Sequence, residues 1–269
     1  MKLLLSTLML LFSIGSKAQE LYVYTDPASN LPAKSLGFRL TNNLAHIKNT
    51  DKYRFATIPE IMIGISKKFM LKADAAISNM SGSTKLNGGS LYAKYRFFST
   101  DDVQSHFRMA AYMRGSISNL HIHQPAIDLL LMNSGVETGL IATQLIKRIA
   151  LSASLSHLYA ADNTGGKKFL YGNSSRHALA YTISAGRLML PKEYTSYNQT
   201  NVNLMMELLG QTNLNTGKTF IDIAPSVQFI IQSRMRVDVG YRFAIANNLP
   251  RTSENGALLR LEYNIFNAF

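Results

Sequence analysis

The stretch Arg234-Met-Arg-Val-Asp-Val-Gly-Tyr-Arg-Phe-Ala-Ile245 decides the fold. Met235, Val237, Val239, Tyr241, Phe243 and Ile245 occupy one parity, while Arg234, Arg236, Asp238, Gly240 and Arg242 occupy the other. Side chains of a strand alternate between its two faces, so this is a strand with one apolar and one charged face. The final segment repeats the pattern, with Leu259, Leu261, Tyr263, Ile265 and Phe269 set against Arg260, Glu262 and Asn264, and Asn267 breaking the apolar parity once. Upstream it recurs in Leu71 to Ile77 against Lys72 and Asp74, in Leu91 to Phe97 against Lys94 and Arg96, and in Phe107 to Met113 against Arg108 and Arg114.

A soluble sandwich also alternates, with charges outside and apolar residues in a shared core. Three features favour a membrane barrel instead. The alternation delimits roughly 12 strands, at 33–47, 53–66, 69–80, 86–99, 104–118, 132–146, 149–161, 177–190, 199–211, 217–231, 234–247 and 256–269, many of them reaching the ~9 to 11 residues that cross a bilayer. Tight links at Lys67-Lys68, Ser99 to Val103, Lys147-Arg148 and Gln232-Ser233 alternate with polar loops at 79–86, 118–131, 161–176, 210–217 and 247–256; the link from Leu190 to Gln199 is the long exception. Short periplasmic turns and long external loops are the habit of outer-membrane barrels, and an even strand count puts both termini in the periplasm. Lastly, the chain stops on Phe269, an aromatic residue preceded by apolar residues at alternate positions. Tyr263, Ile265 and Phe269 are expected to form the signal read by the barrel-insertion machinery.

The amino terminus agrees. Met1-Lys2, an apolar run from Leu3 to Ile14 and Gly15-Ser16-Lys17-Ala18 have the layout of an export signal cleaved after Ala18. Such a run is too short for a helical span, which needs ~20 residues. The expected division is a signal at 1–18, a segment at 19–34 that stays periplasmic or enters the lumen, and an all-β, antiparallel, up-and-down barrel at 35–269 in the outer membrane of a Gram-negative bacterium. Without Lys2 and Lys17, the 28 basic residues fall to 26 against 16 acidic ones, a formal charge of +10. Export and the lack of a basic run argue against nucleic acid, so outer-membrane lipids, lipopolysaccharide and anionic solutes are the expected partners. There are no cysteines, which excludes disulfides and thiolate metal sites.

Two segments match at an offset of 166 residues, one running from Pro59 to Ala75 and the other from Pro225 to Tyr241. Each is a Pro, a strand, a polar turn and an alternating return strand. Proline removes a ladder hydrogen bond, so a bulge or bend is expected at Pro59 and Pro225, on the lipid-facing parity. With its Ala224-Pro225-Ser226-Val227-Gln228-Phe229 entry and Val239-Gly240-Tyr241 exit, this hairpin resembles the outer-membrane barrels grouped as phenol-degradation meta-pathway transporter-like. The resemblance implies a barrel of about 12 strands that admits small, often hydrophobic compounds, and it carries over no functional residue.

No Gly-x-Ser-x-Gly elbow, phosphate loop or Cys/His metal spacing is present, so no catalytic residue and no cofactor is expected. His121 and His123 are the weak candidates for a metal, with Asp128 nearby; the alternative is a pair of solvated loop histidines. Ser156-His157, with Ser152, Ser154 and Asn163 close in sequence, carries a minor hydrolase alternative in which lipid is the substrate. The interior parity offers Arg39, Glu60, Lys72, Asp74, Lys94, Arg96, Arg108, Arg114, Glu137, Arg187, Glu207, Asp222, Arg236, Asp238, Arg242, Arg260 and Glu262. Charges at membrane depth must face one another or water. They either pair into a plug or line a path favouring anions and small polar solutes. A passive channel or small-solute transporter is the leading expectation; the alternative outside catalysis is a structural barrel whose basic loops, Arg251 among their residues, bind lipopolysaccharide.

Overall fold

A computed structural model describes residues 22–47, 50–102, 105–193 and 198–269, so the expected signal at 1–18 lies outside the described residues. The chain forms β1 (Ser35–Ile47), β2 (Tyr53–Gly64), β3 (Phe69–Ser78), β4 (Lys85–Asp101), β5 (Ser105–Ser118), β6 (Gly135–Ile146), β7 (Ile149–Ala160), β8 (His177–Leu190), β9 (Asn201–Asn213), β10 (Thr219–Ile231), β11 (Met235–Asn247) and β12 (Ser253–Ile265). Each strand pairs antiparallel with its sequence neighbours, and β12 returns to β1, with Phe38 opposite Tyr263, to close the barrel. Closure leaves no edge strand, the condition for a sheet to cross a bilayer. Strand lengths of 10 to 17 residues suffice for a tilted crossing.

Burial settles the choice between sandwich and membrane barrel. The outward residues are apolar and exposed, with Leu91 at 70%, Ile117 at 66% and Ile183 at 61%, while Glu207, Asp222, Gln228 and Asp238 inside are at 0%. A soluble protein has the opposite arrangement. Exposed Phe38, Tyr95, Phe97, Phe98 and Tyr263 mark the tight-turn end of the band, and Tyr53, Phe55, Tyr159, Tyr241 and Phe243 mark the loop end. These two belts take the positions of interfacial aromatic girdles. At the tight-turn end, Ile146 and Ile149 pair across a two-residue link, and the β10–β11 turn holds Gln232 and Ser233 at φ 51 and 56, the left-handed geometry that such hairpins demand.

Three expectations need correction. Neither proline makes a bulge. Pairing is unbroken on one side, with Leu40 opposite Pro59 and Met206 opposite Pro225. On the other side the ladder skips from Thr57 to Glu60 and from Ile223 to Ser226, and the register is the same on both sides of each gap. The missing N–H opens a local gap without adding a residue. Phe269 is also not a strand residue: β12 ends at Ile265, Asn267 turns the chain at φ 53, and the Ala268 N–H donates to the Lys34 carbonyl at 2.7 Å. Finally, Arg187 is exposed on the outer parity of Ile183 and Met189, opposite Ile149 and Leu204. The inner positions of β8 are Ala178, Ala180, Thr182, Ser184 and Gly186, so no charge marks its inner face, and an arginine at the rim of the outer face reaches headgroups.

Candidate functional site

The lumen divides into two halves with different contents. At the tight-turn end it is filled by residues 22–34. Their backbone runs inside a barrel whose own N–H and C=O groups are taken by the ladder, so inward side chains must satisfy the segment. Glu207 on β9 does most of this: its carboxylate accepts the N–H groups of Val23 at 2.8 Å, Tyr24 at 2.9 Å and Thr25 at 3.0 Å, and the Thr25 hydroxyl at 2.8 Å. Lys94 Nζ donates to the carbonyls of Pro27 and Ser29, both at 2.7 Å, and Lys72 pairs with Asp26. Ala28 N–H donates to Thr143 Oγ1 at 2.9 Å, and Arg108 Nη1 to Ser29 Oγ at 2.8 Å. Tyr22 and Val23 pack on Leu145, Ala150, Met205 and Leu258, while Leu31 packs on Met62 and Met70. A Cβ on Gly64 would lie 2.0 Å from the Pro32 carbonyl oxygen, so the absence of a side chain lets the segment pass.

Around this plug the strand charges pair with one another. Arg39 bridges Glu60 and Glu262, each at 2.8 Å; Arg236 contacts Asp238 at 2.8 Å and Glu262 at 3.5 Å; Arg114 contacts Asp74 at 3.2 Å and Glu137 at 3.6 Å. Arg260 lies 4.0 Å from Asp238 and donates to Thr41 Oγ1 at 3.0 Å. Arg242 and Arg251 both bond to Asp222, which is fully buried. Arg251 comes from the 248–252 connection and is itself buried, so it is a lumenal residue and not part of a basic outer surface. Arg96 is half-buried at the tight-turn end, where β4 shifts register between Arg96 and Phe98. Of the interior residues read from the sequence, Arg187 alone points outward.

At the other end, the 119–134 loop folds into the mouth. Its Ile127 exchanges two 2.8 Å hydrogen bonds with the Gln211 side chain, which thereby mimics a strand partner. Gln124 Oε1 accepts the Thr252 N–H at 2.7 Å, tying the loop to the 248–252 connection. Ile122, Ile127 and Leu129 pack on Leu158, Ala160, Phe169 and Ala178, while Leu131 and Met132 pack on Ala56, Ile58 and Ala76.

Between loop and plug lies a cavity of about 440 Å³. One arc of its wall carries Arg54 on β2, Arg39 on β1, Arg260 on β12, Arg242 on β11 and Arg251. Across the barrel the wall is mixed, with Ile141, Leu158, Ala180 and Leu209 beside Glu137, Ser154, Thr182 and Gln211. Tyr24 of the plug and Tyr92 of β4 also line it, and neither hydroxyl has a hydrogen-bond partner among the described residues. Arg54, Arg251, Asp26 and Tyr24 are missing from the sequence-based interior set. Arg54 shares the parity of Glu60, so carrying that alternation three steps further, through Ile58 and Ala56, reaches it.

The other candidate chemistry is not assembled. His121 and His123 are exposed with ring centroids 6.0 Å apart, and Asp128 spends its carboxylate on the N–H groups of Leu130 and Leu131. No group of three metal-ligating side chains occurs among the described residues. Ser152, Ser154 and Ser156 face the lumen, whereas His157 is exposed on the outer face, where its Nε2 lies 3.1 Å from His177 Nδ1. Asn163 is buried, donating to the Leu120 and Met132 carbonyls and accepting the Ser134 N–H. The wall of the barrel thus separates that histidine from those serines.

No protein-family model and no curated protein matches this sequence. Among solved structures, an outer membrane channel from Pseudomonas putida F1 superposes with a TM-score of 0.59 at 10% identity, over 91% of this chain and 100% of its own. Looser likenesses include a NanC porin (TM-score 0.49, 10% identity, 85% of this chain and 98% of that one) and outer membrane phospholipase A from Escherichia coli (0.46, 9%, 94% and 96%). At such identities the likeness is one of fold. Together with the outward apolar band and its aromatic belts, the Pseudomonas likeness places the chain among outer-membrane β-barrels.

Proposed function

We propose that this barrel is a passive outer-membrane channel for small solutes, with anions favoured. The observation that carries the reading is the cavity inside the barrel, whose arginine-bearing arc faces a wall of apolar and uncharged polar side chains with one carboxylate, Glu137. A purely structural barrel of this size gains nothing from leaving space beside arginines, since a charge facing empty low-dielectric volume is costly. Water and solute occupy such a space naturally. The plug makes the resting path narrow, so the channel conducts in small steps. Purified protein in planar bilayers is expected to give discrete conductance events with a reversal potential displaced toward chloride in a salt gradient. Silence at all voltages would remove the proposal.

A second reading is a non-transporting barrel held to lipopolysaccharide through exposed Lys52, Lys85 and Lys168 at the loop end. The filled tight-turn half supports it. Salt-sensitive lipopolysaccharide binding with no conductance is its expected signature.

A further inference from the structure

Of the basic residues that line the cavity, Arg39, Lys72, Arg114, Arg242 and Arg251 each hold a carboxylate, and Arg260 reaches Asp238 at 4.0 Å. Among the described residues, Arg54 has none within that distance. Its one hydrogen-bond contact among the described residues is Nη1 to the Met132 thioether sulfur at 3.9 Å, a weak acceptor for a guanidinium. The Asp128 carboxylate lines the same cavity and lies near enough to attract Arg54, but it makes no ion pair with it, and its Oδ1 accepts the Leu130 and Leu131 N–H groups of its own turn. A half-buried guanidinium with five donors and no carboxylate in contact is unusual on a wall where the other basic groups are in ion pairs. Immediately beside it the surface turns apolar, through Ile58 and Leu131, and the far wall carries Leu158 and Leu209.

We infer that Arg54 is the docking point for the head group of a small amphipathic organic anion, a carboxylate on a compact apolar body, which crosses the cavity with its body against the leucine-rich wall. This deepens the proposed channel function and rests on the cavity being part of the solute path. A planar carboxylate matches the guanidinium fork in two parallel hydrogen bonds, and one negative charge balances the one unmatched positive charge. A volume of about 440 Å³ is in the range of small-molecule sites, of roughly 300–1,000 Å³.

The test is calorimetric titration of the full mature protein in detergent with hexanoate, acetate and 1-hexanol, which separate head group from body, and with hexyl phosphate. Hexanoate is expected to bind more tightly than acetate, 1-hexanol or hexyl phosphate. Arg54→Met keeps the volume and loses the charge; it is expected to weaken hexanoate about tenfold or more, in line with loss of a charge-assisted bond, and to leave 1-hexanol unchanged. Arg54→Lys is expected to restore part of the hexanoate binding. Unboiled SDS migration equal to that of the unmodified protein establishes that each variant is folded. Hexanoate binding that is absent, or equal in the unmodified protein and Arg54→Met, overturns the inference, as does a preference for hexyl phosphate. Arg54-dependent binding with silent bilayers defeats the channel and keeps the site; conductance without Arg54-dependent binding does the reverse.

Discussion

The two halves of the lumen are built from the same strands by the same alternation, yet they differ in what they leave unmatched. In the tight-turn half the carboxylate of Glu207, the ammonium groups of Lys72 and Lys94 and the arginines of β1, β11 and β12 are all engaged, many of them by a segment that belongs to no strand. In the loop half a second non-strand element, 119–134, covers the mouth with apolar side chains and leaves space beneath it, with Arg54 in no ion pair among the described residues. Barrel size alone does not decide between plug and path at 12 strands. The segments folded inward decide it.

The contrast is broken most severely at Glu207. Glu207→Ala removes the acceptor of three backbone N–H groups and two hydroxyls, those of Thr25 and Ser184, each costing about 1–3 kcal/mol when left unsatisfied, so the 22–25 region is expected to leave its seat. The chain has no cysteine, so Thr25→Cys provides a single reporter. A water-soluble maleimide is expected to label it slowly in the otherwise unmodified barrel and many times faster with Glu207→Ala; equal rates would show that the carboxylate does not hold the plug.

Asp222→Asn tests the charge matching above the plug, because Arg242 and Arg251 share that one carboxylate. Stability toward urea is expected to fall by roughly 3 kcal/mol, the low end for a broken buried pair since the Arg242 side chain is 33% exposed. The reversal potential should move further toward chloride. No change in either quantity would mean that the triad is unimportant. Gly64→Ala is smaller still, pressing a methyl onto the Pro32 carbonyl, with an expected loss of about 1–3 kcal/mol typical of overpacking. Unfolding midpoints in urea measure it, and an unchanged midpoint would mean that the plug has slack at its exit.

The smallest effect is expected outside the membrane band. Asp162, exposed in the 161–176 loop, accepts the Phe169 N–H and the Arg176 guanidinium, and these two hold its carboxyl below the usual range. A depressed pKa means that the contribution is complete at neutral pH and is lost only as pH falls through the lowered value. Amide exchange at Phe169 should therefore be flat from pH 7 to about 5 after correction for intrinsic rates, and accelerate only in stronger acid. Asp162→Asn should accelerate it from pH 7 to about 5, converge with the unmodified protein in stronger acid and leave conductance untouched.

Nearly all of the barrel is legible in the sequence, because a period of two over ten or more residues has no other reading once the apolar face is the exposed one. The seam follows as well, since an up-and-down barrel must pair its last strand with its first, and Phe38 lies opposite Tyr263. What escaped has physical reasons. Ala, Ser and Gly fill the inner parity of β8, so Arg187 looked interior although a long side chain at the rim reaches water from the outer face. Phe269 follows Asn267, a residue that tolerates the left-handed conformation and ends the strand before the terminus. Tyr22 to Lys34 and Leu120 to Met132 carry no periodicity, and irregular backbone satisfied by distant side chains such as Glu207 and Gln211 leaves no local trace. Arg54 sits at the second position of its strand, where alternation is short of evidence.

Single-channel recording of the purified protein in planar bilayers, with and without Glu207→Ala, tests the account most directly. Small discrete steps, enlarged several-fold by the substitution and carried mainly by the anion, are the predicted result. Silence in both proteins, or steps of equal size in the two, would contradict a narrow path set by the inserted segment.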